Sequence, residues 1–268
     1  MSATPEELLA IAQEIAREAG ELAARRRAEG VEIAARKSSA VDIVTFADRE
    51  VEAFIRRRLL ELRPDDGFCG EESVASSGTS GLTWVVDPID GTVNFLYGIP
   101  LYAVSIAVVE GEPDPLTWRA LAGCVFNPAS GEEYAAARGG GAHLNGTRLA
   151  PSTPADLSQS LLATGFAYDP VRRVEQGRLL GGLLGRVRDI RRGGAASLDL
   201  CYVAAGRLDA YVERGLNPWD HAAGALVAEE AGAVVLTPAG AQASRDLTFV
   251  CAPTIAVELG VALEDAGW

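Results

Sequence analysis

The order of apolar and polar positions divides the chain into two unlike stretches. Leu8, Ile11, Ala12, Ile15, Ala19 and Leu22 recur at helical spacing and predict an amphipathic helix. Thr4-Pro5-Glu6-Glu7 supplies its start, with Thr4 as cap, Pro5 in the first turn and Glu7 closing a capping box. A second helix is predicted over 45–62, with Val51, Phe54, Ile55 and Leu59 on one face and Pro64 as its stop. The apolar runs then shorten. Residues 67–69, 82–86, 103–109, 120–126 and 133–137 read as strands joined by Gly/Pro turns, a meander that ends near Pro151.

Beyond Pro151 the pattern alternates. Strands are predicted at 161–163, 188–191, 210–213, 234–236 and 249–251. Helices are predicted at 171–184, 195–205, 219–231 and 254–263. Such alternation argues for layered α/β packing. We read one domain over residues 1–268, with an N-terminal α+β half to about residue 150 and a C-terminal α/β half from about 151. Residues 73–81 (SVASSGTSG) are the most loop-like stretch and are expected to form a mobile flap near the site.

Composition narrows the function classes. Of 268 residues 48% are apolar, ample for a large core. Acidic residues outnumber basic ones by 37 to 24, and the net charge of −13 argues against a nucleic-acid partner. The sequence contains no run of ~18 apolar residues for a membrane span and no basic-then-apolar leader. Cys69, Cys124, Cys201 and Cys251 are widely spaced among apolar neighbours. They read as free buried thiols in a cytoplasmic protein.

The chemistry concentrates in Trp84 to Phe95, WVVDPIDGTVNF. An apolar strand runs into Asp87, Pro88 is expected to end the sheet and turn the chain, and Asp90 points back at the same volume. Two carboxylates held that close repel unless a cation lies between them. Hard oxygen ligands suit Mg²⁺, and the Ile89 carbonyl could join them. Gly91-Thr92 offers backbone N–H groups at a helix start, where an anion is favoured. Read in isolation, the same aspartates also fit an Asx-turn with one solvated acid. Glu71 in GEES, Asp220 in NPWDH and Asp48 in VTFAD each have an ordinary reading too: a solvated acid and two first-turn helix acids.

Other phosphatase chemistries fit poorly. The aspartates are three apart, not two as in the D-x-D of haloacid-dehalogenase-type enzymes. Cys201 to Arg207 matches C-x₅-R, but the residues between are apolar and read as helix rather than an anion loop. GGGAHLNG at 139–146 reads as a hairpin turn, not a P-loop. Two histidines, His143 and His221, are too few for a His-rich dinuclear centre. Arg186, Arg188, Arg191 and Arg192 could meet an anionic substrate; Arg186 and Arg188 fit a solvated face equally well, and Arg191 and Arg192, which lead into the GGAAS segment, are the better candidates.

GEES at 70–73, DPIDGTVNF at 87–95 and WD at 219–220, together with KSSAVDIVTFAD at 37–48, GGAAS-x-D at 193–199 and DAYVERGLNPWDHAAG at 209–224, occur in one order over nearly the whole chain. In this combination the sequence resembles the inositol monophosphatase family of Mg²⁺-dependent, lithium-sensitive phosphatases. The resemblance implies a layered αβαβα sandwich of the inositol monophosphatase/fructose-1,6-bisphosphatase type and a cytoplasmic homodimer. It implies two or three Mg²⁺ ions held by Glu71, Asp87, the Ile89 carbonyl, Asp90 and Asp220. Glu71 and Thr92 would activate water, supported by Asp48. Asp90, Gly91, Thr92, Gly194, Ala195, Ala196, Glu213 and Asp220 would meet a small polyol phosphate, with inositol 1-phosphate as the expected substrate. The alternatives are histidinol phosphate, or a largely non-catalytic interaction protein on this fold. Val93, Ala47 and Ala195 depart from the residues usual in the family, and Ala195 bears on substrate identity.

Overall fold

The computed structural model describes residues 3–36, 43–236 and 240–268. Helices α1 (Pro5–Glu29) and α2 (Phe46–Leu62) form one outer layer, and a short hairpin, β1 (Ile33–Arg36) with β2 (Ile43–Thr45), connects them. Residues 37–42 of the KSSAVDIVTFAD motif lie outside the described residues. Both helices begin at the expected caps. Thr4 accepts from Glu7 N–H and Thr45 from Asp48 N–H, each within a capping box.

The meander is a seven-stranded sheet in sequence order: β3 (Gly67–Gly70), β4 (Leu82–Asp90), β5 (Ala103–Glu110), β6 (Arg119–Asn127), β7 (Glu132–Ala137), β8 (Gly141–Leu144) and β9 (Thr147–Arg148). Only the β3–β4 pair is parallel. The period-2 alternation assigns each face of the central strands to a different layer. Trp84, Val86, Ile106 and Val108 pack with Leu8, Ile15, Val51 and Ile55 of α1 and α2. Val85, Ala107 and Val125 face the other way, onto Leu198 and Val203 of α5 (Ala196–Ala204) and Leu226 and Val227 of α6 (Pro218–Ala231).

Those helices also cover a four-stranded sheet of order β11-β10-β12-β13, made of β10 (Leu161–Ala163), β11 (Asp189–Arg191), β12 (Ala210–Glu213) and β13 (Thr248–Cys251). Its second face, through Ala210, Val212, Phe249 and Cys251, packs on Leu259 and Leu263 of α7 (Ala256–Ala266). Helix α4 (Pro170–Gly181) lies in this last layer, and α3 (Thr92–Tyr97) follows β4. The result is helix, sheet, helix, sheet, helix, as the resemblance implied.

Five expectations need correction. The 139–146 stretch is not one hairpin turn, because Gly141–Leu144 is strand β8 with turns on either side. Pro88 does not end the sheet. β4 runs on to Asp90, which pairs with Ala103 across a register shift after Asp87. A bulge asks no N–H of the proline, so the ladder resumes beyond it. Residues 234–236 form no strand, only a single bridge from Val234 to Cys251. Helix α4 stops at Gly181, three residues short of the predicted end. The 73–81 stretch is not a free flap. Ser76 exchanges both backbone hydrogen bonds with Phe68 at 2.8 Å, and Thr79 and Ser80 N–H both reach the Asp65 carbonyl.

Candidate active site

The bulge at the end of β4 sets the site. Asp87 and Asp90 sit on either side of it and are 2% and 8% exposed. Asp87 accepts the Ile89 N–H at 3.1 Å, an Asx-type bond across the proline. Gly91 then turns the chain at φ 88°, close enough to the Leu101 carbonyl that a Cβ would stand 2.8 Å from it. Only glycine fits such a turn. It lets α3 begin at once and brings the Thr92 side chain back toward the strand.

Thr92 joins two elements. Its hydroxyl lies 3.0 Å from Asp48 Oδ1 and 3.1 Å from the Ile89 carbonyl. Asp48 is fully buried in the first turn of α2 and accepts Thr45 N–H at 2.8 Å and Thr45 Oγ1–H at 2.5 Å through its other oxygen. Burial pushes Asp48 up to about 6, against the lowering pull of Thr45. Asp220 takes the equivalent place in α6, where it accepts the Asn217 N–H at 2.6 Å.

Two segments from the second half of the chain, 193–197 and 211–213, complete the enclosure. The Ser197 N–H and hydroxyl donate to Asp90 Oδ2 at 2.7 and 2.6 Å. Asn94 Nδ2 donates to Leu101 O at 2.7 Å and Gly193 O at 2.9 Å, tying the residues after β4 to the start of α5. The Tyr211 hydroxyl donates to Glu213 at the end of β12.

The resulting cavity is about 400 Å³. It is lined by Glu71, Asp87, Ile89, Asp90, Gly91, Thr92, Gly194, Glu213 and Asp220, with Phe166, Tyr168, Arg172, Arg214 and Arg245 on its walls. A recess of about 100 Å³ shares Asp90, Gly194, Glu213 and Asp220 with it and adds Ala195, Ala196, Arg192 and Asp199. Every site residue expected from the sequence thus meets in one place except Asp48, which stands behind Thr92. A larger cavity of about 520 Å³, around Trp118 and His221, contains none of them.

The electrostatics of this volume are strained. Burial first, then Glu71, Asp90 and neighbouring Asp220, holds Asp87 well above the usual carboxylate range. Burial and Glu71 do the same to Asp220. Burial pushes Asp90 up to about 6 despite its two bonds from Ser197. Glu213 is pushed up to about 7, again mainly by burial. Among the described residues no three His, Cys, Asp or Glu side chains stand as a ready-made metal cage. The donor set nevertheless fits a divalent cation. All donors are hard oxygens, and a cation drawing them inward would cancel the repulsion that raises them.

Ser197, Asn94, Asp199, Arg172, Arg214 and Arg245 were not among the residues expected from the sequence, although Ser197 and Asp199 lie inside the GGAAS-x-D motif. Cys201 is buried in α5 and its thiol is held well above the ordinary range, which removes the C-x₅-R reading. Arg186 pairs with Asp265 at 2.8 Å and Arg191 with Asp189 at 2.5 Å, so only Arg192 of that cluster lines the site. Among the described residues no helix is long and apolar enough to cross a membrane.

A sequence profile of the inositol monophosphatase family matches residues 4–264. The chain is 45% identical to the inositol-1-monophosphatase of Mycobacterium leprae (strain TN), over 97% of this chain and 94% of that protein. It is 41% identical to the Nus factor SuhB of Escherichia coli (strain K12), over 85% and 84% of the two chains. The crystal structure of the extragenic suppressor protein SuhB from Bartonella henselae superposes with a TM-score of 0.86 at 35% identity, covering 96% of this chain and 98% of that one. With the family pattern spread over the chain and its acids gathered in one cavity, the protein belongs to the inositol monophosphatase family, whose members are metal-dependent phosphoric monoester hydrolases.

Proposed function

We propose that the protein hydrolyses a small polyol phosphate monoester, inositol 1-phosphate first among the candidates, with Mg²⁺ as cofactor. The observation that carries this reading is the convergence of Glu71, Asp87, Asp90 and Asp220 on one cavity beside the Gly91-Thr92 turn. In this reading Glu71, Asp87 and the Ile89 carbonyl hold one ion, and Asp87, Asp90 and Asp220 hold a second. A third, weaker ion would lean on Glu71. When bound, such ions lower the pKa of water and stabilise a departing alkoxide oxygen.

The remaining work falls to the chain itself. Thr92 is oriented by Asp48, so its hydroxyl proton has a fixed acceptor 3.0 Å away and its oxygen is free to align water with Glu71. The Gly91 and Thr92 N–H groups open α3 and face a phosphate oxygen. Glu213 and the Gly194–Ala196 segment receive the polyol hydroxyls. Arg172, Arg214 and Arg245 on the walls add positive charge where the substrate anion enters. Lithium competing at one ion site should inhibit.

The test is phosphate release from inositol 1-phosphate and histidinol phosphate in parallel, with Mg²⁺ and with EDTA. Mg²⁺-dependent preference for inositol 1-phosphate is expected. Preference for histidinol phosphate would keep the ion ligands and replace the substrate. Release of phosphate undiminished in EDTA would overturn the reading.

The Escherichia coli relative named a Nus factor supports a second reading, in which this chain also engages other macromolecules. Binding to a partner that is unaffected by Asp90→Asn would favour that role alongside catalysis.

A further inference from the structure

Helix α2 carries two buried carboxylates one turn apart, Asp48 at 0% and Glu52 at 3% exposure. Residues four apart on a helix share a face, and this face meets the end of the large sheet. Asp48 holds Thr92. Glu52 holds the turn after β3. Its Oε2 accepts the Glu72 N–H at 2.8 Å, and the Ser73 hydroxyl also bonds to it. The approach is so close that a Cβ on Gly70 would overlap the Glu52 carboxylate. One turn further along α2, Arg56 donates to Ser73 Oγ at 3.1 Å.

Glu71 lies between these attachments. Its own N–H donates to the Val86 carbonyl of β4 at 3.2 Å. The peptide that follows it is gripped by Glu52. Its backbone is therefore fixed on one side by the sheet and on the other by the helix. An aliphatic residue would serve a helix face packed on a sheet at no electrostatic cost, whereas a buried carboxylate is unfavourable unless it is hydrogen-bonded. Glu52 earns its place by the donors it holds.

We propose that Glu52 is a positioning residue for the ion site: it aims Glu71 into the cavity as Asp48 aims Thr92, so that α2 sets the separation of these two side chains. This rests on the reading of Glu71 as an ion ligand. Partners that orient metal ligands typically control affinity by about 10–100-fold.

The test is Mg²⁺ binding by calorimetry in the absence of substrate. Glu52→Met keeps the length and removes the acceptor. Glu52→Asp keeps the charge and withdraws the oxygen by one methylene, which guards against a Met variant that fails to fold. Glu52→Gln keeps an acceptor oxygen in place. The Met and Asp variants are expected to bind Mg²⁺ about 10–100-fold more weakly, the Gln variant close to wild type, and KM at saturating Mg²⁺ to stay unchanged. Unaltered Mg²⁺ affinity in the Met and Asp variants would overturn this inference alone. A Gln variant as weak as the Met variant would also overturn it. A wild-type protein that binds no Mg²⁺ would overturn the ion site and this inference together.

Discussion

Asp87, Asp90 and Asp220 are costly residues. Asp87 and Asp90 are buried and Asp220 is half-buried, and each is raised by the others or by Glu71. Such groups destabilise the fold in exchange for function. Asp87→Asn keeps an oxygen for the Ile89 N–H and removes one charge from the cluster. In EDTA this variant is expected to melt above wild type, because repulsion is relieved. With Mg²⁺ its gain in melting temperature should shrink, because a proposed ion ligand is gone. Scanning calorimetry of both proteins in both conditions checks this. A variant that melts below wild type in EDTA would contradict it. Asp90→Asn and Asp220→Asn are expected to lower kcat by at least about 10²-fold, the scale of losing one preorganised electrostatic group, with circular dichroism unchanged.

Asp199 gives a pH signature at the same scale. It accepts the Gly193 N–H, and burial with the nearby Asp90 and Glu213 pushes it up to about 8. An unfolded aspartate titrates at about 3.9. Between these values the folded chain keeps a proton that the unfolded chain releases. Stability from this group is therefore full at low pH and declines as pH rises toward 8, by at most about 1.4 kcal/mol per unit. Urea unfolding in EDTA across this range should show a steeper decline for wild type than for Asp199→Asn. Equal slopes would refute the assignment.

At the scale of elements, α4 is the least committed helix. Gln176 is its only buried residue, and that burial is polar. Its amide accepts the Ala167 N–H at 2.7 Å and donates to the Arg214 carbonyl at 2.8 Å. Both partners belong to segments that line the cavity. Gln176→Met is expected to cost about 1–3 kcal/mol, the cost of leaving buried groups unpaired, and to speed amide exchange at 165–169 and 213–217 together. Faster exchange in only one segment would show that Gln176 does not couple them. The elements themselves were largely legible, because most strands and helices follow apolar periodicity. Helix starts were the clearest signals: Thr4 and Thr45 are capping residues whose chemistry is local. The misses share a cause. The bulge that carries β4 past Pro88 depends on pairing with Ala103, and the single bridge at Val234 depends on Cys251; neither is encoded within a local window.

The same division holds for the whole molecule. The acids of the site were readable because each sits in a dense local motif. Ser197 and Asn94 were missed as members of the candidate site because their partners, Asp90 and Gly193, lie about a hundred positions away. Nothing in hydrophobic patterning reports a hydrogen bond between the large sheet and α5. Five layers bring these distant segments to one cleft.

In the proposed function this cleft binds Mg²⁺ to hydrolyse a phosphate monoester. The most direct test is phosphate release from inositol 1-phosphate as Mg²⁺ is titrated into wild-type protein and Asp90→Asn side by side. Wild type is expected to show a saturable rise from a negligible rate in EDTA, and the variant a flat response. Equal release by the two proteins, or wild-type release indifferent to Mg²⁺, would contradict it.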